Sequence, residues 1–295
     1  MSTYPRGIVT AIMTSLTKDL KPNVEGIRQL IERQLSAGVS GFFVLGTWGE
    51  GMMLNVETRM RYLEKFVEYV PSKSMVIAHV GCANAEDTRV LAKHACDLGL
   101  VASAVGPVYH KPDKLGLIKY YEYVSSGCDR FMIYNNIARQ GYNITPDWFE
   151  ALAKELSNLV GIKDTSYNVA QVHEYVTRFG SRYYVASGGD QYMAFMFLAG
   201  APAHICGVSN VFPELATSIW KAVESGDIAK ALEYQRRVNE LIKILRSFDV
   251  EVQVAAREIL RMKGVDIGWA PPPSRELTPE EKAKLEQLLR SKGFL

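Results

Sequence analysis

One complete strand–helix–strand unit can be recognised in residues 75–105, which read MVIAHVGCANAEDTRVLAKHACDLGLVASAV. Residues 75–80 and 101–105 are short apolar runs, as expected of parallel strands that are buried on both faces. Asn84 opens the amphipathic stretch between them, and Asp87 follows three residues later, as in a capping box. The pattern predicts two parallel strands joined by a helix.

The same pattern recurs along the whole chain. The predicted strands cover residues 7–13, 41–45, 75–80, 101–105, 131–134, 159–163, 183–186 and 203–206. Helix signals lie between them: Gly38 follows the helix at 24–37 as a C-cap, and Pro146 takes the first position of the helix that Thr145 opens. Eight alternating units predict an α/β fold, a closed (β/α)8 TIM barrel. No GxGxxG sequence follows the first strand, which argues against a dinucleotide-binding fold.

The C-terminal part of the chain is predicted to be helical. The last barrel helix covers residues 213–224, and further amphipathic segments lie at 228–245, 250–262 and 278–292. Thr278 and Glu281 form a capping-box pair at the start of the last segment. We therefore expect a barrel domain at residues 1–226 and a three-helix appendage at residues 227–295, because the connections are too short for an independent domain.

Length and charge exclude several classes of protein. A chain of 295 residues is ordinary for one α/β barrel. Its 34 Lys and Arg residues nearly balance 32 Asp and Glu residues, so the net charge of +2 offers no basic excess for nucleic acid or an anionic membrane. No stretch approaches the roughly 18 apolar residues of a membrane span, and residues 1–6 do not resemble a signal peptide. We expect a cytoplasmic protein.

Cysteine spacing indicates neither a disulfide framework nor a metal site. The four cysteines follow no CxxC pattern and are irregularly spaced: Cys82, Cys96, Cys128 and Cys206. His94 and Cys96 are only two residues apart on a predicted helix, where such side chains do not face each other. We expect unpaired cysteines, buried or single at the surface, and no bound metal.

A lysine ends the sixth predicted strand. Lys163 follows the apolar run of residues 159–162, so its side chain points into the barrel or into the layer between strands and helices. Desolvation there lowers the pKa of the ammonium from about 10.4, and a neutral amine attacks carbonyl carbon. A strand-end lysine taken alone is more often structural or exposed at the surface.

Neighbouring strand ends supply groups for the same chemistry. Tyr134 ends the fifth predicted strand, from where a phenol can pass protons to and from a carbinolamine. Thr47 and Gly49 offer a hydroxyl and backbone N–H groups at a turn, which suits a small carboxylate. Individually, Tyr134 also fits a core aromatic, and the other two fit an ordinary tight turn.

Three short motifs resemble one known family. Gly-Thr-x-Gly-Glu at residues 46–50, Tyr134-Asn135 and Gly-x-Lys-Asp at residues 161–164 are similar, in order and spacing, to the dihydrodipicolinate synthase / N-acetylneuraminate lyase family. The resemblance covers nearly the whole chain, including the C-terminal helices. It implies a (β/α)8 barrel, a homotetramer built as a dimer of dimers, and a class I lyase with neither metal nor organic cofactor.

The resemblance also implies catalytic roles. Lys163 would form a Schiff base with the keto group of pyruvate or a larger 2-oxo acid. Tyr134 would act as general acid and base, aided by Thr47. Tyr109 matches the family tyrosine that reaches across a dimer interface to complete the proton relay.

Substrate-binding residues follow from the same comparison. Gly188 matches a glycine whose carbonyl meets the incoming substrate, and Ile205 an aliphatic residue beside bound pyruvate, although Ile205 also fits plain barrel core. Trp48 replaces a small hydroxyl residue, so the pyruvate carboxylate would rely on Thr47 and on backbone donors such as that of Gly49.

Arg139 falls where synthases of this family hold a second carboxylate. A bidentate guanidinium suits an acidic aldehyde such as aspartate semialdehyde. The family's proline after Tyr-Asn-x is absent here, and a solvated loop arginine fits the position equally well.

Several functions stay open. The leading hypothesis is a dihydrodipicolinate-synthase-like condensation of pyruvate with a small, acidic aldehyde. A 2-keto-3-deoxy sugar acid aldolase and a dehydratase that uses the same lysine are the enzymatic alternatives. A non-enzymatic barrel that senses a 2-oxo acid is the third class, and it predicts that Lys163 and Tyr134 are dispensable.

Overall fold

The computed structural model describes residues 4–295, and within them eight parallel strands close into a barrel in sequence order. The strands are β1 (Gly7–Ala11), β2 (Gly41–Val44), β3 (Val76–His79), β4 (Val101–Val105), β5 (Phe131–Asn135), β6 (Leu159–Asp164), β7 (Tyr184–Ser187) and β8 (Ala203–Cys206). The predicted TIM barrel is therefore confirmed.

Helices alternate with the strands and continue beyond them. They are α1 (Val24–Ser36), α2 (Val56–Val67), α3 (Ala85–Asp97), α4 (Lys114–Ser125), α5 (Ile137–Gln140), α6 (Pro146–Glu155), α7 (Val169–Phe179), α8 (Met193–Leu198), α9 (Pro213–Glu224), α10 (Ile228–Leu245), α11 (Val252–Met262) and α12 (Pro279–Ser291). The predicted caps form: the Asn84 side chain accepts from the backbone N–H of Asp87, and Thr278 and Glu281 make a reciprocal capping box. These bonds satisfy N–H groups that the first turn of a helix leaves unpaired.

Strands β5 and β6 each extend one residue beyond the apolar run that predicted them. The pairing of β5 with β6 continues through Asn135 and Asp164, whose polar side chains end the hydrophobic run before the backbone ladder ends. The prediction missed α5, a four-residue helix that stops at Gly141, where a positive φ of 77° ends the turn. An element this short carries no periodicity to read.

The core has two layers. Side chains inside the barrel form one cluster: Val9, Ala11, Phe43, Ile77, Val101, Val105, Met132, Tyr134, Tyr184, Ala186, Ala203 and Ile205. A larger cluster fills the space between the strands and the helices and extends into α10, α11 and α12. Lys163 pairs in register with Tyr134 and Ala186, both members of the inner cluster, so its side chain shares the inner face.

Among the C-terminal helices, α10 packs against α9 and α8, α12 packs against α10, and α11 bonds to the turn after β2. Arg257 on α11 donates to a carboxylate oxygen of Glu50 at 2.6 Å, and both side chains are buried. Gln253, one turn earlier, donates to the backbone carbonyl of Thr47 at 2.9 Å. The predicted boundary at residue 226 lies in the turn between α9 and α10.

The expectation of four unpaired cysteines was wrong. Cys96, at the end of α3, and Cys128, in the loop before β5, form a disulfide across 32 residues. The barrel brings α3 beside the α4–β5 connection, a proximity that linear spacing does not reveal. Cys82 and Cys206 are free.

In the part of the chain that the structure describes, no helix has the length and apolar character needed to cross a membrane. Residues 1–3, part of the stretch that we compared with a signal peptide, lie outside the described residues.

Opening the disulfide should destabilise the fold. A crosslink across 32 residues restricts the unfolded chain, so its reduction should lower the free energy of unfolding by about 4 kcal/mol. Chemical unfolding with and without a thiol reductant measures this, once thiol counting shows that the bond is broken. Cys96→Ser is the control, because the reductant should leave its unfolding curve unchanged. Identical curves for the oxidised and reduced parent would contradict the prediction.

Candidate active site

A cavity of about 400 Å³ opens at the carboxyl ends of the strands. Six predicted site residues line it: Thr47, Trp48, Tyr134, Arg139, Lys163 and Ile205. Gly49, Gly188 and Tyr109 lie outside its lining, and Tyr109 is 86% exposed. The barrel therefore brings together groups from β2, β5, β6 and β8, which are far apart in sequence.

Lys163 stands at the bottom of this cavity. Its side chain is buried, and Nζ lies 3.9 Å from the ring centroids of both Phe43 and Tyr134. Burial lowers the pKa of Lys163 below its ordinary value, against the opposing charge of Tyr134 and hydrogen bonding to it. The neutral amine, which is the nucleophilic form, is thereby favoured.

Tyr134 is the partner of this lysine. Burial acts to raise the pKa of Tyr134, but the Lys163 charge and hydrogen bonding with Thr47, Lys163 and Asn136 outweigh burial and lower it. The Asn136 side-chain amide donates to the phenolic oxygen at 2.7 Å. An amine and a phenol whose pKa values are both lowered can exchange one proton, as general acid–base chemistry requires.

His79 packs beneath the lysine–tyrosine pair, a role that the sequence did not suggest. Its ring meets Tyr134 edge-on, with centroids 5.7 Å apart. Nε2 accepts from the backbone N–H of Val105 at 3.4 Å, which leaves the proton on Nδ1, 3.2 Å from the carbonyl oxygen of Leu45. Burial holds the pKa of His79 well below its ordinary value, with the charges of Arg59 and Lys163 acting in the same direction. His79 is therefore a neutral support for the Tyr134 ring.

Trp48 lines the cavity and lies against Gly207, which directly follows β8. A β-carbon at Gly207 would fall 2.0 Å from the indole Nε1, so the ring stacks directly on this glycine backbone. Gln253 fixes the preceding residue through the Thr47 carbonyl. The side-chain oxygen Oε1 of Gln253 is buried without a hydrogen-bond partner in the described part of the chain. The turn after β2 is thus shaped by α11, which no local motif reveals.

The mouth of the cavity carries charge. The guanidinium of Arg139 on α5 lies 3.5 Å from a carboxylate oxygen of Glu251, the N-cap residue of α11. About half of each side chain is exposed. Arg246, after α10, lines the same mouth, and no ion pair to it occurs among residues 4–295. Two guanidinium groups and one carboxylate therefore face an incoming molecule.

A buried threonine is part of the cavity lining. Thr165 is 8% exposed, and its Oγ1 has no hydrogen-bond partner among the described residues. Gly188 leaves room for it, because a β-carbon there would fall 2.4 Å from that oxygen. Thr165 directly follows the Gly-x-Lys-Asp motif at residues 161–164, and only the fold shows that its hydroxyl has no partner in the described part of the chain.

Two acidic residues near the site have structural partners. Asp164 accepts from Asn135 at 2.6 Å and from Gln171 at 3.1 Å, on the opposite side of β6 from Lys163. Asp190 accepts backbone N–H groups of Gly207 and Val208. Within residues 4–295, no group of three or more His, Cys, Asp or Glu side chains could hold a metal ion.

Comparison with known proteins places this site in a family. The model of the dihydrodipicolinate synthetase family matches residues 4–292. The chain belongs to the dihydrodipicolinate synthetase family. It is 36% identical over 245 residues to the 4-hydroxy-tetrahydrodipicolinate synthase of Thermotoga neapolitana, covering 81% of this chain and 83% of that protein.

Solved structures of family members superpose closely on the barrel. A catalytic lysine mutant of the Ruminococcus gnavus sialic acid aldolase has a TM-score of 0.91 at 26% identity, over 99% of this chain and 97% of that one. YagE from Escherichia coli K12, in complex with pyruvate, has a TM-score of 0.90 at 28% identity, over 98% and 99%. Members of the dihydrodipicolinate synthetase family are class I lyases, and this chain is an enzyme of that class.

The neutral state of His79 should make stability depend on pH. The pKa of His79 is depressed in the folded state. Below about pH 6.5 the imidazole is therefore protonated in the unfolded chain but stays neutral in the folded chain. The free energy of unfolding should therefore decrease as the pH is lowered below about 6.5. This residue contributes at most about 1.4 kcal/mol per pH unit to the decrease.

His79→Gln tests this, because its amide can still accept from Val105 and donate to Leu45. Chemical unfolding at about pH 7.5 and about pH 5.5 should give a smaller difference for the variant than for the parent. Equal differences in the two proteins would show that His79 does not stay neutral.

Proposed function

We propose that this enzyme forms a Schiff base between Lys163 and the keto carbon of pyruvate or a larger 2-oxo acid. It then makes or breaks a carbon–carbon bond to a small aldehyde, as in dihydrodipicolinate synthases. One observation carries the proposal: a buried Lys163 amine lies 3.9 Å from the ring centroid of Tyr134, whose hydroxyl interacts with Thr47. The pyruvate bound to YagE and the catalytic lysine of the Ruminococcus gnavus aldolase support it.

The chemistry begins with addition of the neutral amine to the keto carbon. The nitrogen–carbon bond forms as the carbonyl π bond opens, and a proton passes from nitrogen to oxygen through the Tyr134 phenol. Tyr134 then protonates the carbinolamine hydroxyl, which leaves as water, and the nitrogen lone pair closes the iminium.

In the cleavage direction, the Tyr134 phenolate takes the proton of the substrate hydroxyl. The adjacent carbon–carbon bond breaks, the aldehyde leaves, and the electron pair enters the enamine. Protonation of the enamine and hydrolysis of the iminium return pyruvate and the free lysine. No cofactor is needed, because the iminium itself is the electron sink.

The remaining predicted residues have binding roles in this proposal. The pyruvate carboxylate lies at the turn after β2, against Thr47 and the backbone donors around Trp48 and Gly49. Ile205 supplies an apolar wall beside the methyl group, which its buried position on the cavity lining supports. Gly188, which lies beside Thr165, would offer its carbonyl to the incoming substrate.

Tyr109 and the assembly belong to the same proposal. Tyr109 is 86% exposed on the loop after β4, as expected of a side chain that completes the relay of a neighbouring subunit through Thr47. We propose a cytoplasmic homotetramer, a dimer of dimers, on the basis of the family resemblance.

Trapping with borohydride tests the Schiff base directly. Incubation with pyruvate and borohydride should add one reduced pyruvate adduct at Lys163, because the buried amine is the neutral nucleophile. Mass spectrometry of the proteolysed chain locates it. Lys163→Met should take up no adduct, whereas Lys230→Met, at an exposed surface lysine, should match the parent. An unmodified Lys163 peptide in the parent would remove the proposal.

The mouth favours an acidic acceptor. Arg139 and Arg246 outnumber Glu251 there, so an aldehyde with its own carboxylate is attracted and can displace Glu251 from Arg139. The unpartnered hydroxyl of Thr165 favours a second candidate, a polyhydroxylated aldehyde as in 2-keto-3-deoxy sugar acid aldolases. A buried hydroxyl discriminates when a substrate hydroxyl pairs with it.

A crossed experiment separates the two acceptors. Pyruvate is offered with acidic aldehydes and with sugar-derived aldehydes, to the parent, Arg139→Ala and Thr165→Val. Arg139→Ala should weaken kcat/KM about tenfold for acidic acceptors only, and Thr165→Val should do the same for hydroxylated ones if those are the substrates. Equal turnover of an acidic aldehyde by the parent and Arg139→Ala would remove the proposed role of Arg139 in binding the acceptor.

Product analysis distinguishes an aldolase from a dehydratase, because only the aldolase releases pyruvate among its cleavage products.

A further inference from the structure

Asn136 occupies a helix N-cap without capping the helix. It is the residue before α5, and its side chain makes no bond to the α5 backbone. Instead its Nδ2 donates to the phenolic oxygen of Tyr134 at 2.7 Å, with both residues buried. Asparagine is among the preferred N-cap residues because its side-chain oxygen can accept a free backbone N–H, so this orientation forgoes a favourable bond.

Other asparagines at the same position behave differently. Asn55, Asn84 and Asn168 precede α2, α3 and α7, and the side chain of each accepts a backbone N–H in the first turn. The contrast shows that Asn136 is held by the phenol rather than by its helix. It also lines the cavity, within reach of the reacting atoms.

We propose that Asn136 is a positioning residue that holds the oxygen of Tyr134 toward Lys163 and stabilises its phenolate. The inference rests on the proposed function, in which Tyr134 donates and recovers one proton for each Schiff base formed. When Tyr134 gives its proton to the departing carbinolamine hydroxyl, the charge left on its oxygen is met by the Asn136 N–H. When the proton returns, the bond weakens, so the phenolate is favoured selectively.

The surroundings of Tyr134 leave this bond little competition. The groups that face the pair are Lys163 on β6, neutral His79 on β3, and Asp190 and Tyr167, which follow β7 and β6. Lys163 supplies positive charge: its nitrogen is neutral in the carbinolamine and becomes cationic as the iminium closes, which is when the phenolate forms. Thr47 and Asn136 are the neutral groups that interact with the phenolic oxygen. A hydrogen bond to a charged group in a site closed to water is worth more than one between neutral groups.

Two variants separate this role from simple packing. Asn136→Leu removes the donor, and Asn136→Asp keeps the shape but replaces the donor with a negative charge. A near-ultraviolet titration of tyrosinate, with Tyr134→Phe to identify the Tyr134 step, should show that step at higher pH in Asn136→Leu and higher still in Asn136→Asp. The rate at which the borohydride-trapped pyruvate adduct forms at Lys163 should fall roughly 10- to 100-fold in both variants.

Asn168→Ala is the matched control, because it removes a true N-cap outside the cavity. It should lower the melting temperature and leave both the titration and the adduct rate unchanged. Failure of the parent to form any adduct would remove the proposed function itself. If the parent forms the adduct, the inference about Asn136 can fail alone. It fails if Asn136→Leu forms the adduct at the parent rate and titrates Tyr134 at the same pH as the parent. Asn136→Asp matching the parent would likewise reduce Asn136 to a packing residue.

Discussion

Removing the Lys163 ammonium from water is the physical constraint around which this site is organised. The loss of hydration favours the neutral amine, and the nearby phenol of Tyr134 favours the charge, so the two groups are coupled through one proton. In the proposed reaction, the pair works only while the cavity excludes bulk water and while Tyr134 keeps its orientation. Phe43 and His79 secure the ring from inside the barrel, and Thr47 and Asn136 interact with its oxygen.

The C-terminal helices belong to this arrangement as much as the strands do. Arg257 and Glu50 form a buried ion pair that joins α11 to the turn after β2, and Gln253 bonds to the same turn. Removing either charge alone would leave the other buried without its partner, which typically costs about 3–5 kcal/mol. The appendage therefore helps to define the shape of the turn after β2, and its residues Glu251 and Arg246 also line the cavity.

Much of the fold could be predicted because buried parallel strands leave a continuous apolar signal. The runs at β4 and β8 match their observed bounds, and the caps at Asn84 and Thr278 were visible from the residue types alone. The disulfide was not visible, because Cys96 and Cys128 meet only when α3 packs beside the loop before β5. Lys163, Tyr134 and Thr47 could be proposed from chemistry at strand ends. His79, Gln253 and Asn136 could not, because their roles depend on where a side chain turns after folding.

The contact between Trp48 and Gly207 couples two positions that are far apart in the chain. Any residue with a β-carbon at 207 would overlap the indole, so a larger side chain there requires a smaller one at 48 beforehand. For directed evolution of this pocket, a substitution at 207 alone must displace the indole, whereas a library that varies both positions together can reshape the wall where β2 and β8 meet. Epistasis of this kind constrains which mutational paths lead to a new substrate.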